Sequence, residues 1–261
     1  MRSASDVRTS VPAATTTATT SATASATASA TATAAPNAVP AAAPSARRYD
    51  VVLFDLLTAL LDSWSLWNSV AGGEVPGRAW RAAYLKRTYA CGAYRPYETL
   101  VREAAAETGL PPALADALEE RWSELALWDG AATVLATLRG THGLGVVTNC
   151  SERLGRLAVE RLDVPMDVVV TSERSGFYKP DPRPYRQALD ELGATAASTL
   201  FVAGSGFDLF GTSAVGLDTY WHNRVGLALP AGAPAPLQQD PQLLPVLDLL
   251  GARGNRARRQ G

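Results

Sequence analysis

Histidine and cysteine are scarce in this 261-residue chain, with two of each. Cys91 and Cys150 lie far apart and form no C-x-x-C pair. A disulfide framework and a thiolate zinc site are thereby excluded, and a reducing compartment fits, so cytoplasmic residence is expected. With only His142 and His222 available, a His-rich metal centre is excluded, and a Ser-His-Asp triad would have to use one of these two. No G-x-S-x-G elbow supports such a triad. Charge of one sign is also missing: 24 basic residues face 25 acidic ones. No global field therefore draws the chain to nucleic acid or an anionic membrane. No uninterrupted apolar run is long enough to span a bilayer. Neither nucleic acid nor membrane is expected as a partner.

Residues 1–47 are almost entirely Ala, Thr, Ser, Pro and Val, with no periodic apolar pattern that could bury a core. They read as a disordered leader, and they lack the long apolar segment of a secretory signal. Residues 251–261 carry Arg253, Arg256, Arg258 and Arg259 and read as a basic, flexible tail.

Val51–Phe54 is an unbroken apolar run with β-branched residues, the pattern of a strand buried on both faces of a parallel sheet. It ends on a carboxylate, Asp55. In open α/β sheets the ligand sits outside the carboxyl ends of the strands. An acid there, partly desolvated and kept ionised by a fixed cation, is a stronger nucleophile. The plainer reading is an Asp that caps the following turn.

The next seventy residues are helical in pattern: Ser63 to Ala71, Arg78 to Ala90, Tyr97 to Thr108, and Pro111 to Leu127. They form an inserted helical cap over residues 63–127. An α/β core is expected from 48–62 and 128–250. There, helices (Asp129 to Arg139, Ser151 to Leu162, Pro182 to Leu192, Phe207 to Val215) alternate with strands (Gly143 to Thr148, Met166 to Thr171, Thr199 to Val202, Leu217 to His222). That alternation demands a doubly wound parallel sheet, Rossmann-like in class. Pro236 to Leu250 is expected to form one closing helix. The cap aromatics leave open whether they serve a homodimer or the core.

Just past successive strands stand Asp55, Thr148-Asn149, Lys179 and Asp208. A nucleophilic acid, a hydroxyl-amide pair, a cation and a second acid make a coherent site. Lys179 lies in Phe-Tyr-Lys-Pro-Asp-Pro, where Pro180 and Pro182 stiffen the backbone. At about 4 Å from Asp55 it would contribute roughly 4 kcal/mol toward ionisation at a typical effective dielectric. Thr148 and Asn149 are candidate donors to an anionic group, and Asp208 would orient a water or hold Lys179. Gly204-Ser-Gly206 follows a strand as a dinucleotide fingerprint does, but Leu209 stands where its third glycine belongs. No cofactor is expected. Cys150 reads as a small buried residue.

These elements resemble the haloacid dehalogenase superfamily of hydrolases across about residues 48 to 225. The motifs are Phe54-Asp55, Thr148-Asn149, Tyr178-Lys179-Pro180-Asp181 and Asp208. Within it, Val-Val-Thr-Asn-Cys-Ser and Tyr-Lys-Pro-Asp-x-x-x-Tyr, ending at Tyr185, are most similar to the (S)-2-haloacid dehalogenases. Trp80-Arg81-x-x-x-Leu85 resembles the segment that supplies their substrate arginine, and Tyr97 falls near their cap aromatic. The resemblance implies that Asp55 attacks the halogen-bearing carbon of a small acid, forming an ester that water then hydrolyses, with no metal. It further implies that Lys179 neutralises Asp55 and that Arg81 and Asn149 receive halide or carboxylate. Tyr185, Ser205 and Phe207 are carried over as substrate-binding positions.

The chain departs from that pattern in places. Leu57-Thr58-Ala59 replaces Tyr-Gly-Thr after the nucleophile, and Ala203 and Ser205 replace Ser and Asn. The phosphatase branch uses an acid where Leu57 stands, and Leu57 cannot protonate a leaving alcohol. Its magnesium site wants another where Gly204 stands. A phosphatase-like hydrolase and a non-catalytic binding protein with the same cleft remain the alternatives.

Overall fold

The computed structural model describes residues 49–252; the expected leader and most of the expected tail lie outside them. Among the described residues, β1 (Val51–Phe54), β2 (Gly143–Thr148), β3 (Val168–Thr171), β4 (Thr199–Ala203), β5 (Asp218–His222) and β6 (Gln238–Asp240) form one sheet. Its order is β3-β2-β1-β4-β5-β6, and every pairing is parallel. Helices α1 (Ser63–Val70), α2 (Glu74–Ala90), α3 (Tyr97–Glu107), α4 (Leu114–Glu120) and α5 (Ala131–Leu138) lie between β1 and β2. Later come α6 (Glu152–Val159), α7 (Ser172–Ser175), α8 (Pro182–Leu192), α9 (Asp208–Val215) and α10 (Val246–Leu249). This is the expected Rossmann-like α/β core.

Alternation of side chains along β1 sends Val52 and Phe54 into one apolar cluster and Val51 and Leu53 into the other. All four are buried, as a central parallel strand requires. Each such side chain contributes about 1.5–3 kcal/mol by leaving water. Phe54 is level with Val146 of β2 and Val202 of β4, so β1 stops two residues short of the end of β2 and one short of the end of β4.

The segment before β2 is stitched by an aromatic column. Ring centroids step from Trp67 to Tyr84 at 5.5 Å, Tyr84 to Tyr97 at 5.2 Å, and Tyr97 to Trp122 at 6.0 Å. These aromatics are buried in the chain's own core rather than exposed.

The structure differs from the sequence expectation at two places. The helix expected over 111–127 is only α4 and a 3-10 turn at Trp122–Glu124. Trp122 turns inward to donate its indole N–H to Leu154 O at 2.9 Å, and the chain then extends to bridge Leu127 to Leu61. The closing helix expected over 236–250 is instead β6 followed by the single turn α10. β6 covers the open backbone edge of β5, and Pro241 and Pro245 stop a longer helix. No helix among the described residues is long and apolar enough to cross a membrane.

Candidate active site

The chain leaves β1 toward β2 on one side and later returns to β4 on the other. A crevice therefore opens above the carboxyl end of β1. Asp55 occupies that end and caps a π-helical turn at Leu56–Leu60. Its Oδ2 accepts from Thr58 N at 2.8 Å, from the Thr58 hydroxyl, and from Ala59 N at 3.2 Å. The turn's carbonyls are held from outside. Ser63 Oγ donates to Leu57 O, Trp128 Nε1 donates to Thr58 O at 3.0 Å, and His222 Nδ1 meets Ala59 O at 2.9 Å. Capping and presentation of the carboxylate thus coexist in one residue.

Lys179 reaches the same carboxylate from the loop after β3. Its Nζ lies 2.8 Å from Asp55 Oδ1 and 3.0 Å from Asp208 Oδ1. Asn149 fixes that loop: its Oδ1 accepts from Lys179 N at 2.8 Å and its Nδ2 donates to Lys179 O at 2.9 Å. Tyr185, on α8, donates its hydroxyl to Asp208 Oδ1 at 2.7 Å. Burial pushes the Asp55 carboxyl up, but Lys179 and the Thr58 donors outweigh it and hold Asp55 below its usual value. Asp208 goes the other way, because burial and the neighbouring Asp55 charge outweigh Lys179 and Tyr185. Lys179 is disfavoured as a cation by burial, yet its two carboxylates carry it above its ordinary value.

Arg81 comes down from α2 and is only 6% exposed. One terminal nitrogen, Nη1, donates to Ser63 Oγ at 2.9 Å, and the guanidinium carbon lies 4.2 Å from the Trp64 ring centroid and 5.5 Å from that of Trp67. Its Nε has no hydrogen-bond partner. No salt bridge joins Arg81 to a carboxylate among the described residues. Burial lowers the Arg81 pKa, while Tyr97 and Asp55 act in the opposite sense.

Asp55, Lys179, Asp208, Arg81, Asn149, Tyr97, Ser205 and Phe207 all border one cavity of about 320 Å³. Thr148 and Tyr185 do not border it: Thr148 is buried at the end of β2, and Tyr185 lies behind Asp208. Sequence reading missed Ser63, Trp64, Tyr89 and the Leu227–Pro230 segment at this cavity or against its arginine. Their partners lie far away in the chain, so no local pattern marks them. Cys150 is buried, and burial raises its thiol pKa to about 12, which leaves it a poor nucleophile.

The cavity's carboxylates, Asp55 and Asp208, are both engaged by Lys179. Among the described residues no group of three or more His, Cys, Asp or Glu side chains is placed to hold a metal ion. Gly204 has no room for a further acid. A Cβ there would fall 2.2 Å from the Thr58 carbonyl carbon and 2.4 Å from Ala59 N.

The model of the haloacid dehalogenase-like hydrolase family matches residues 52–222. Among characterised relatives, (S)-2-haloacid dehalogenase 4A of Burkholderia cepacia is 30% identical over 116 residues, covering 43% of this chain and 50% of the relative. Pyrimidine 5'-nucleotidase YjjG of Escherichia coli strain K12 is 30% identical over 107 residues, covering 40% and 48%. The chain thus spans about half the length of these two relatives. A solved structure titled as a dehalogenase superposes with a TM-score of 0.68 at 26% identity, covering 77% of this chain and 97% of the other. With the sheet order, the acid at the end of β1 and the family match in agreement, this chain belongs to the haloacid dehalogenase-like hydrolases.

Proposed function

We propose that the protein hydrolyses 2-halogenated carboxylic acids, with Asp55 as nucleophile. One relationship carries the reading. A carboxylate kept ionised by a buried lysine shares its cavity with a buried guanidinium that has no carboxylate of its own among the described residues. A buried cation without an anion is costly, and a substrate carboxylate on the cavity-facing part of the Arg81 guanidinium would relieve that cost. The half-length likeness to an (S)-2-haloacid dehalogenase supports the same chemistry.

Asp55 Oδ1 has one protein partner where Oδ2 has three, so Oδ1 has the freer lone pair. It forms a bond to C2 as the carbon–halogen bond breaks, and halide leaves with the electron pair. A halide needs no proton to depart, so the apolar Leu57 two residues on is no handicap. Water then adds to the Asp55 carbonyl carbon and gives up a proton to Asp208. The acyl–oxygen bond breaks as Asp208 passes that proton to the departing alkoxide oxygen, and the remaining proton of the added water is lost to solvent, so a 2-hydroxy acid of inverted configuration is released and the Asp55 carboxylate restored. Lys179 holds Asp55 ionised before attack, and Asn149 holds the backbone that carries Lys179.

The likeness to a nucleotidase favours a second reading, phosphate-ester hydrolysis with magnesium. Leu57 offers no proton to a leaving alcohol, and Gly204 offers no carboxylate to the metal. The full chain should release halide from (S)-2-chloropropionate in the presence of a chelator, and Asp55→Asn should abolish that release. Magnesium-dependent phosphate release that disappears in Asp55→Asn, with no halide release from wild type, would establish the second reading instead.

A further inference from the structure

The charged groups occupy only part of the cavity, and its remaining walls are apolar. Leu57, Tyr89, Phe207 and Leu227 all border it. Phe207 is 38% exposed although it lines the cavity, so a large apolar ring stands uncovered beside the reacting groups. This wall is built rather than loose. The Tyr89 and Phe207 ring centroids lie 4.5 Å apart. Asn223 clamps Leu227 from both sides, donating from Nδ2 to Leu227 O and accepting from Leu227 N, each at 2.8 Å. Pro230 sits against Gly206 so closely that a Cβ on that glycine would fall 2.6 Å from Pro230 Cδ.

The space exceeds what a two- or three-carbon acid fills. A cavity of about 150 Å³ accommodates benzene, and this one is about 320 Å³. The charge pattern limits the ligand to one carboxylate. Lys179 is balanced by Asp55 and Asp208, and Arg78, also at the cavity, pairs with Glu74 at 2.8 Å. Arg81 alone among these cations has no carboxylate partner within the described residues.

We infer that the acid taken by this site is a monocarboxylate with an aryl-sized apolar group on C2, seated against Leu57, Tyr89, Phe207 and Leu227. The inference rests on the proposal that Arg81 holds the carboxylate beside Asp55. Burying a ring on a preformed apolar wall adds affinity at little ordering cost, whereas a methyl group leaves that wall wet.

Binding of unhalogenated acids to the full chain tests the inference apart from the chemistry. In calorimetric titrations, 3-phenylpropionate should bind at least tenfold more tightly than propionate. Succinate should gain nothing over propionate, and neutral 3-phenylpropanamide should bind weakly. Leu227→Trp should erase most of the preference for the aryl acid. Ala228→Phe, at an exposed position on the same wall, serves the same purpose if Leu227→Trp does not fold. In turnover, (S)-2-chloro-3-phenylpropionate should exceed (S)-2-chloropropionate at least tenfold in kcat/KM. Preferential aryl binding without halide release from either acid would refute the dehalogenase proposal and leave this inference standing. Halide release with equal or weaker binding of the aryl acid would overturn the inference and leave the proposal standing. Absence of measurable 3-phenylpropionate binding would also overturn it.

Discussion

Asp55 and Lys179, 124 residues apart in the chain, meet at 2.8 Å where the side chain of neither is more than 8% exposed. The contact joins the end of β1 to the loop after β3, and Asp208 shares the same ammonium at 3.0 Å. Two buried carboxylates thus depend on one cation.

Replacing that cation should cost more than the pair itself contributes. Lys179→Met leaves Asp55 and Asp208 buried and uncompensated, a loss of about 3–5 kcal/mol. At about 2–4 °C per kcal/mol for a domain of this size, the melting temperature should fall by roughly 6–20 °C. Adding Asp55→Asn to Lys179→Met should recover part of the loss, because one orphaned charge is gone. Calorimetric melting of the single and double variants checks both statements.

Arg81 should show the reverse balance between stability and binding. Its guanidinium is buried against Trp64 and Trp67 and, among the described residues, has no carboxylate partner and an unsatisfied Nε. Arg81→Met keeps the packing volume and removes the desolvated charge, so the free protein should melt at or above the wild-type temperature. Carboxylate affinity should drop by about 1.5–3 kcal/mol, the usual worth of hydrogen bonds to a charged group. Parallel melting and calorimetric titration with a carboxylate decide the matter. A destabilised variant with unchanged affinity would show that Arg81 serves the fold.

The two carboxyls should divide the pH dependence between the two chemical steps. Asp55 is held below its ordinary value, so it stays ionised as pH falls through the usual carboxylate range, and the stability it contributes is lost only below that range. Asp208 is raised, so it takes up its proton first as pH falls from neutrality. The halide burst should therefore persist at pH values where steady-state turnover has declined, as the hydrolytic step loses its base. Tyr185→Phe removes a donor that favours the Asp208 carboxylate and should move the turnover decline to higher pH. Rapid-quench and steady-state profiles with (S)-2-chloropropionate measure these limbs.

Gly204 should tolerate no side chain. A Cβ at this position would collide with the Thr58 backbone that donates to Asp55. Gly204→Ala should destabilise the fold by about 1–3 kcal/mol through overpacking. It should also slow the halide burst, because Thr58 is pushed off the nucleophile. Urea unfolding and burst kinetics read the two effects separately.

Much of the core was legible locally. The apolar run Val51–Phe54 announced a central strand, and its alternating burial on two faces follows from the pleat alone. The acid at its end and the acid that opens α9 mark a strand end and a helix start, so their gathering followed from a parallel sheet, whereas Lys179 arrives from the loop between α7 and α8. β6 was not legible, because Gln-Gln-Asp carries no strand pattern and forms only where the β5 edge invites pairing.

Periodicity along the chain therefore determined most of the core strands and helices and which edge of the sheet holds the reacting groups. Only tertiary packing decided what surrounds them. Ser63 and Trp64 came to Arg81, Asn149 turned its amide onto the Lys179 backbone, and the Leu227–Pro230 segment closed the apolar wall. Helix and strand signals arise from neighbours two to four residues apart. The charge balance and shape of a cavity arise from side chains 18 to 124 residues apart, so they appear only when the chain is folded.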